Sequence, residues 1–390
     1  MNLYYLTFCS IMSINAKLSS VFEIITTGKQ KNTFNINLEG LYPLISASTA
    51  NNGIMGYVDN YLYDGQNITI SRVGNAGTTF YHEGKISLTD NCFILSKINK
   101  KIAKVKYVFY LLKLNEDKKI RSISHGTTRK IINKTDLDNL IIYLPSIEIQ
   151  NAIISIIEPH EKLFVKYSNL VDISSVENAK KDVDNLISII EPLDILENKI
   201  NKLKTVLKKL LINIYDKNCN SHVNLFENNK IYTNKYLNQN LYCDTSCIGE
   251  LEINFSKMIN ISLEDKPSRA DLSIKNNSII FSKLLGENKV YCFLNNENIV
   301  FSTGFFNIKS NDENNDDLLS FLLSSDFKNQ KSMLANGTTM IGINNSDLTK
   351  VRCKAPFLNS NIYFTFFNKL NEIENKITLA RNKIVNLLIK

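Results

Sequence analysis

Two stretches of the chain carry apolar residues at a spacing that alternates strictly between three and four. The first runs Leu193, Leu196, Ile200, Leu203, Leu207, Leu210, Ile214; the second runs Tyr363, Phe366, Leu370, Ile373, Ile377, Ala380, Ile384, Leu387. An average repeat of 3.5 keeps one seam turned toward a partner helix, which is the condition for a coiled coil. The first helix ends where an intervening block begins and the second starts where that block ends, so the two run antiparallel if they pair. At 1.5 Å per residue, about 30 residues make a rod on the order of 45 Å. One turn of B-DNA is shorter, about 34–36 Å.

Elsewhere the pattern changes. From about Lys17 to Pro145, short β-rich runs such as NITISRV and NCFILSKI alternate with Gly and Asn turns, and helical spacing returns over Lys106 to Ile120. Between about Asp216 and Pro356 the same order recurs in SIIFSKL, NIVFSTGFFNI and the helical DDLLSFLLSSDFKNQ. Both blocks read as α+β. The string ISIIEP occurs at Ile154–Pro159 and again at Ile187–Pro192. A helix-interior proline costs about 3 kcal/mol, so Pro159 and Pro192 are expected at helix starts or breaks. An additional helical hairpin is expected over Ile154 to Leu186.

The two blocks also share a motif. HGTTRKIINKTDL, His125 to Leu137, returns as NGTTMIGINNSDL, Asn336 to Leu348, matching at seven of thirteen positions with a constant offset of 211 residues. That offset also places Pro145 on Pro356 and Ser71-Arg72 on Ser282-Lys283. A repeat this long is a domain, since solenoid periods are roughly 20–50 residues. The expected fold class is α+β, with two tandem similar domains joined by a long antiparallel two-helix coiled coil. The expected boundaries are 1–145 for the first domain, 146–215 for a connecting helical region with the first coiled-coil helix, 216–356 for the second domain and 357–390 for the second helix.

Composition narrows the class without naming it. A length of 390 residues suits two or three domains; 44% apolar and 22% charged residues are ordinary for a globular chain. The net charge of +8 is compatible with nucleic acid or an acidic partner and proves neither. Met1 to Met12 is apolar but short, without the cationic start or small-residue cleavage site of a signal peptide, and Met12 is an alternative start. No run approaches the roughly 20 apolar residues of a membrane span. Seven scattered cysteines form no secreted disulfide pattern, and a cytoplasmic location is expected.

Catalytic motifs are absent: no phosphate loop, no GxGxxG opening a helix, no HExxH and no GxSxG. The histidines His82, His125, His160 and His222 are not duplicated, and His125 aligns with Asn336. Asp136 and Asp347 do recur, and their place after N-x-[TS] and before Leu reads as a turn or helix cap. Cys219, His222, Cys243 and Cys247 have permissible zinc spacing. The first copy has no counterpart, and unligated cysteines are the better reading. No metal and no cofactor are expected on this chain.

On its residues the chain resembles the specificity subunit of type I restriction–modification systems. The resemblance is carried by YPLISAS, YDGQNITISRVGNAG, TDNCFIL, the Gly126–Thr128 turn and LPSIEIQNAI in the first copy, and by KPSRADLSIKNNSIIFSK, NIVFSTGFF and the Gly337–Thr339 turn in the second. It implies two target recognition domains, each reading one half of a split, asymmetric site on double-stranded DNA, with the helices as a ruler and a dock. It implies a chain that is not itself an enzyme, beside methyltransferase subunits and a restriction/translocase subunit that bring S-adenosylmethionine, ATP and Mg. The residues expected at DNA are Arg72, Asn75, Thr78, Thr127, Thr128, Arg129 and Lys130 in the first copy, and Arg269, Lys283, Lys289, Thr303, Thr338 and Thr339 in the second. Arg72 becomes Lys283 and Arg129 becomes Met340, so the two copies are expected to contact DNA differently. The Pro145–Gln150 element reads as degenerate in the second copy, where Asn361 replaces the glutamine. The competing expectation is a coiled-coil interaction protein with two ligand-binding heads.

Overall fold

The computed structural model describes residues 13–37, 39–286, 288–295, 298–337 and 341–388. Thr338, Thr339 and Met340, and the choice between Met1 and Met12, lie outside the described residues. The chain divides into two compact units, Met1–Pro192 with Val385–Lys390, and Leu193–Ile384.

In the first unit an antiparallel four-stranded sheet has the order Phe22–Thr27, Cys92–Ile98, Gln66–Ser71, Thr79–Glu83. Its inner strands are buried on both faces, with Ile68, Ile70, Ile94 and Leu95 enclosed together with the polar Asn67, Thr69 and Ser71, because a helix covers one side and a second sheet the other. The covering helix is Val105–Leu114, whose Phe109 ring lies 5.9 Å from that of Tyr81 on the edge strand. The helical spacing predicted to reach Ile120 ends early, in a π-helical turn over Glu116–Ile120. The second sheet has the order Ile54–Val58, Tyr42–Ile45, Ser87–Leu88, with a parallel pair between the last two.

One buried group in the four-stranded sheet gives the unit a pH dependence. His82 is buried, its Nε2 sits 2.9 Å from the Thr69 hydroxyl, and burial pushes its imidazole down to about 4. The unfolded imidazole takes its proton near 6.5, so the stabilisation is complete above that pH and drains away as pH falls toward about 4. The expected loss is on the order of 3 kcal/mol. Urea titrations at pH 7 and pH 4.5 should show a difference that largely disappears in His82→Gln; an equal difference in the variant would assign it to other groups.

The expected extra helical segment is real and packs on the first unit. Helices Ile147–Ile157, Glu161–Lys166 and Val176–Asn185 fill it, with Pro159 in the first turn of a 3-10 segment, Glu158–His160, between the first two. Lys106 Nζ pairs with Glu158 at 2.5 Å and Tyr110 OH donates to Glu161 at 2.6 Å, tying the segment to the Val105–Leu114 helix. Pro192 does not end a helix. Against expectation it neither starts nor breaks one: it lies inside a helical run unbroken from Val176 to Lys217, just after a π-helical turn, Leu186–Ile190, whose altered bonding accommodates the missing N–H.

The second unit repeats the sheet order as Asn229–Tyr232, Phe305–Ser310, Ser278–Ser282, Val290–Phe293. Its smaller sheet, Ile259–Asn260, Leu241–Cys243, Ile299–Ser302, Ala270–Ser273, again contains one parallel pair. The predicted helix over DDLLSFLLSSDFKNQ is two, Asn315–Leu323 and Ser325–Leu334, because Ser324 caps a fresh start by accepting from Phe327 N. Even single hydrogen bonds recur at the 211-residue offset. Lys104 N donates to Gln150 Oε1 at 2.9 Å, and Asn315 N donates to Asn361 Oδ1 at 3.2 Å. The element that reads as degenerate therefore keeps its contact, since Asn presents the same amide oxygen as Gln.

The long helices Glu191–Lys217 and Ile362–Leu388 pair antiparallel in this unit. Leu211 and Tyr215 share a core with Phe364 and Phe367, Lys204 pairs with Glu374, and Arg381 forks onto Glu197 at 2.7 and 3.3 Å, so numbers rise on one helix as they fall on the other. Only part of the predicted seam is buried. Ile200, Leu370 and Ile377 form a cluster with Leu193 and Leu207 against it. Leu196, Leu203 and Leu210, at 41–46% exposure, face outward with Phe366, Ile373 and Leu387, while Lys204, Leu211 and Tyr215 take inner positions. Ile214 and Ile384 are half-buried. The buried face of the first helix runs through Ile200, Lys204, Leu211 and Tyr215, rotated away from the predicted seam, so the alternate seam positions stay uncovered.

Candidate nucleic-acid interface

The shared motif is a hairpin. Ser124–His125 pairs with Ile131–Ile132, and Gly126 adopts φ 97°, where an added Cβ would meet Arg129 O at 2.4 Å. Only glycine fits that turn. Thr127, Thr128, Arg129 and Lys130 form its tip and are all exposed. The hairpin is fastened to the end of the central strand, where Ile132 N donates to Arg72 O at 2.9 Å. Arg72 is half-buried; its N donates to Asn91 O at 2.8 Å and its Nη1 to Asp90 O at 3.3 Å. Asn75 is exposed in the following turn. Thr78 is buried and its hydroxyl donates to Asn75 O at 2.9 Å, so it shapes the turn instead of facing a ligand. His125 Nε2 meets Asp136 Oδ2 at 2.8 Å, which engages Asp136 from the side of the short helix Lys134–Asp138 that Asn133 begins.

The second unit builds the same end from different residues. Ile343 N donates to Lys283 O at 2.9 Å, the bond of Ile132 and Arg72 moved by 211 residues. Asn336 and Gly342 exchange hydrogen bonds at the hairpin base, and Gly337 has φ 123°. Asn344 caps the following helix and Asp347 returns a bond to Asn344 N, a full capping box. Lys283 N donates to Gly304 O and Thr303 N to Arg269 O, bringing exposed Arg269 and Thr303 beside Lys283. Lys283 is half-buried with its Nζ 4.9 Å from the Phe306 ring, and burial holds its pKa below the usual lysine value. Lys289 is turned inward, donating to Thr245 O at 2.5 Å.

Two lysines at these ends escape the sequence motifs. Exposed Lys29 joins the first, its carbonyl accepting from Asp90 N at 2.8 Å. The only signal is the preceding Gly28, where a Cβ would come within 1.9 Å of Leu88 O. Buried Lys331 donates to Ser282 O at 2.6 Å, and burial pushes it down to about 8. The zinc spacing is not realised as a cluster: His222 lies 3.4 Å from Asp326, Cys219 is exposed, and Cys243 and Cys247 flank Asp244. Among the described residues no three metal-ligating side chains gather, and no helix is long and apolar enough to cross a membrane.

Two copies of one α+β unit, each fastening a hairpin to the end of its central strand and accompanied by long pairing helices, define a duplicated two-domain class. Residues 15–177 match the family described as Type I restriction modification DNA specificity domain. Three chains of Mycoplasma pneumoniae are similar. Two named as type I specificity subunits are 28% identical over 180 residues, covering 45% of this chain and 47% of that one, and 30% identical over 177 residues, covering 45% and 61%. The type I restriction enzyme MpnII specificity subunit is 31% identical over 150 residues, covering 38% of this chain and 43% of that one. The matched part thus spans about half the length of these relatives. A type I restriction–modification S subunit from M. genitalium aligns over 97% of this chain and 96% of that one, with 16% identity and a TM-score of 0.47.

Proposed function

We propose that this chain reads DNA sequence for a type I restriction–modification complex, each copy recognising one half of a bipartite, asymmetric target. The observation that carries the reading is the hydrogen bond repeated from Ile132–Arg72 to Ile343–Lys283, which sets a cation at the same place in both copies while changing which cation it is. Shared backbone geometry with unshared side chains suits two readers of unequal sequences. Arginine offers a planar fork to a guanine edge, whereas lysine offers a point charge. Exposed Arg129, Lys130 and Lys29 supply phosphate contacts that position the duplex without reading it.

The proposed partners are methyltransferase subunits and a restriction/translocase subunit, which would bring S-adenosylmethionine, ATP and Mg to the complex. Supporting a dock is the heptad-spaced stripe of Leu196, Leu203 and Leu210 with Phe366 and Ile373, apolar and exposed on the helix pair. The chain itself is proposed to be non-catalytic.

Titration of a duplex carrying the methylated sequence of the source genome should give an affinity that falls linearly in log–log with salt. Several phosphate contacts imply a slope of about −3 to −6. The chain alone should transfer no methyl group. A flat salt response would favour a coiled-coil protein with two ligand-binding heads, and robust methylation without partners would overturn the non-catalytic assignment.

A further inference from the structure

In the second unit a cavity of about 480 Å³ lies between the loop Ser246–Lys257 and the Asn371–Arg381 face of the C-terminal helix. Its walls include Cys247, Phe255, Asn371 and Arg381. Cys247 ends the short 3-10 turn Thr245–Cys247, and four residues earlier Cys243 ends the strand Leu241–Cys243. Asp244 between them receives both thiols: Cys243 Sγ donates to Asp244 O and Cys247 Sγ to Asp244 Oδ1, each at 3.8 Å. Cys243 is fully enclosed, and Cys247, itself buried at 2% exposure, lies in the cavity wall.

We infer that Cys247 and Cys243 form a thiol–disulfide exchange site that takes a low-molecular-weight disulfide through this cavity, with Cys247 as the attacking thiol and Cys243 as the resolving one. The chemistry follows from the arrangement. The neighbouring Cys243 side chain brings the Cys247 thiol down to about 7 against burial and the Asp244 carboxylate, which oppose the shift, and Cys243 itself is pushed up by Cys247 and by burial. A thiol with a pKa near ambient pH is the best attacking one, because it combines thiolate population with nucleophilicity.

The step balances without a further reagent. Cys247 Sγ attacks one sulfur of the small disulfide, the reagent's S–S bond breaks, and the departing thiolate takes a proton from solvent. Cys243 then loses its proton and attacks Cys247 Sγ, expelling the second small thiol. One small disulfide and two protein thiols become one protein disulfide and two small thiols. A cavity of this size is within the ordinary range of small-molecule pockets, roughly 300–1,000 Å³, and the other buried thiols, Cys92, Cys292 and Cys353, are not among its lining residues.

The test uses the full chain, glutathione disulfide at pH 7 and peptide mapping by mass. The wild type should accumulate the Cys243–Cys247 disulfide at least about tenfold faster than any adduct at buried Cys92 or Cys292. Cys243→Ser should stop at the mixed disulfide on Cys247, and Cys247→Ser should leave Cys243 reduced. Melting curves of both variants establish that they fold. Modification confined to exposed Cys219, or an unmodified Cys247 in folded Cys243→Ser, would overturn the inference.

Discussion

Asp316→Ala should unfold the second unit at markedly lower urea, by about 3–5 kcal/mol, and should do so by releasing the start of the C-terminal helix. Asp316 is fully enclosed in the first turn of Asn315–Leu323. Its Oδ1 accepts from Phe364 N at 2.7 Å, and its Oδ2 from Tyr363 N at 3.1 Å and from the Ser360 hydroxyl at 2.5 Å. Those amides are among the first of the Ile362–Leu388 helix, whose opening N–H groups have no partner within the helix and whose dipole favours a negative charge there. Neighbouring Asp317 accepts from Phe357, Leu358 and Asn359 N at 3.0–3.1 Å. The long helix is therefore capped from another element, and Phe364 and Phe367 are driven into the core beside it. Alanine leaves two buried donors and a hydroxyl unanswered. Asp316→Asn, which keeps one oxygen acceptor, should recover part of the loss. A midpoint shift below about 1 kcal/mol for alanine would mean that aromatic packing alone seats the helix.

That cap explains why some of the fold was legible in the chain and some was not. Local signals survived. The strands over NITISRV and NCFILSKI, the shared hairpin glycines and the antiparallel sense of the helices follow from short-range spacing or from where one element must end. Asp316 was visible only as an acid at a helix start, because its partners lie more than forty residues further along. The same blindness hid the equivalence of Gln150 and Asn361. A substitution that alters side-chain length reads as loss until the backbone donors, Lys104 N and Asn315 N, are seen to reach the amide oxygen at 2.9 and 3.2 Å. The seam was legible as a heptad but not as a contact. Apolar spacing reports which positions need covering and not which face a partner takes, so Leu203 and Ile373 were read correctly as apolar and left exposed by the fold. Among the candidate DNA residues, Thr78 and Lys289 illustrate the converse. A hydroxyl or ammonium beside a glycine turn looks available in sequence, yet the nearest carbonyl takes it.

Neutralising the first copy's cations should weaken DNA binding in two separable ways, which is the sharpest test of unequal reading. Arg129→Ala with Lys130→Ala removes two exposed charges from the hairpin tip. The salt slope should fall by about 2 for these two charges, with affinity lost almost uniformly over sequences. Arg72→Ala should behave differently. Its guanidinium donates to Asp90 O and its backbone is held by the hairpin bonded to its carbonyl, so it is positioned before any ligand arrives. A pre-positioned fork facing a base edge is worth roughly 1–3 kcal/mol of discrimination. Loss should therefore concentrate at one position of one half-site. Lys283→Ala should relax the other half-site and leave the first untouched. Arg72→Lys, which copies the second unit's cation into the first, should keep the phosphate attraction but lose selectivity. The measurement is binding to a library randomised across both half-sites, read for all four variants at two salt concentrations. If Arg72→Ala and Lys283→Ala weaken every sequence equally, the strand ends hold phosphates only, and base reading must move to other loops of each copy.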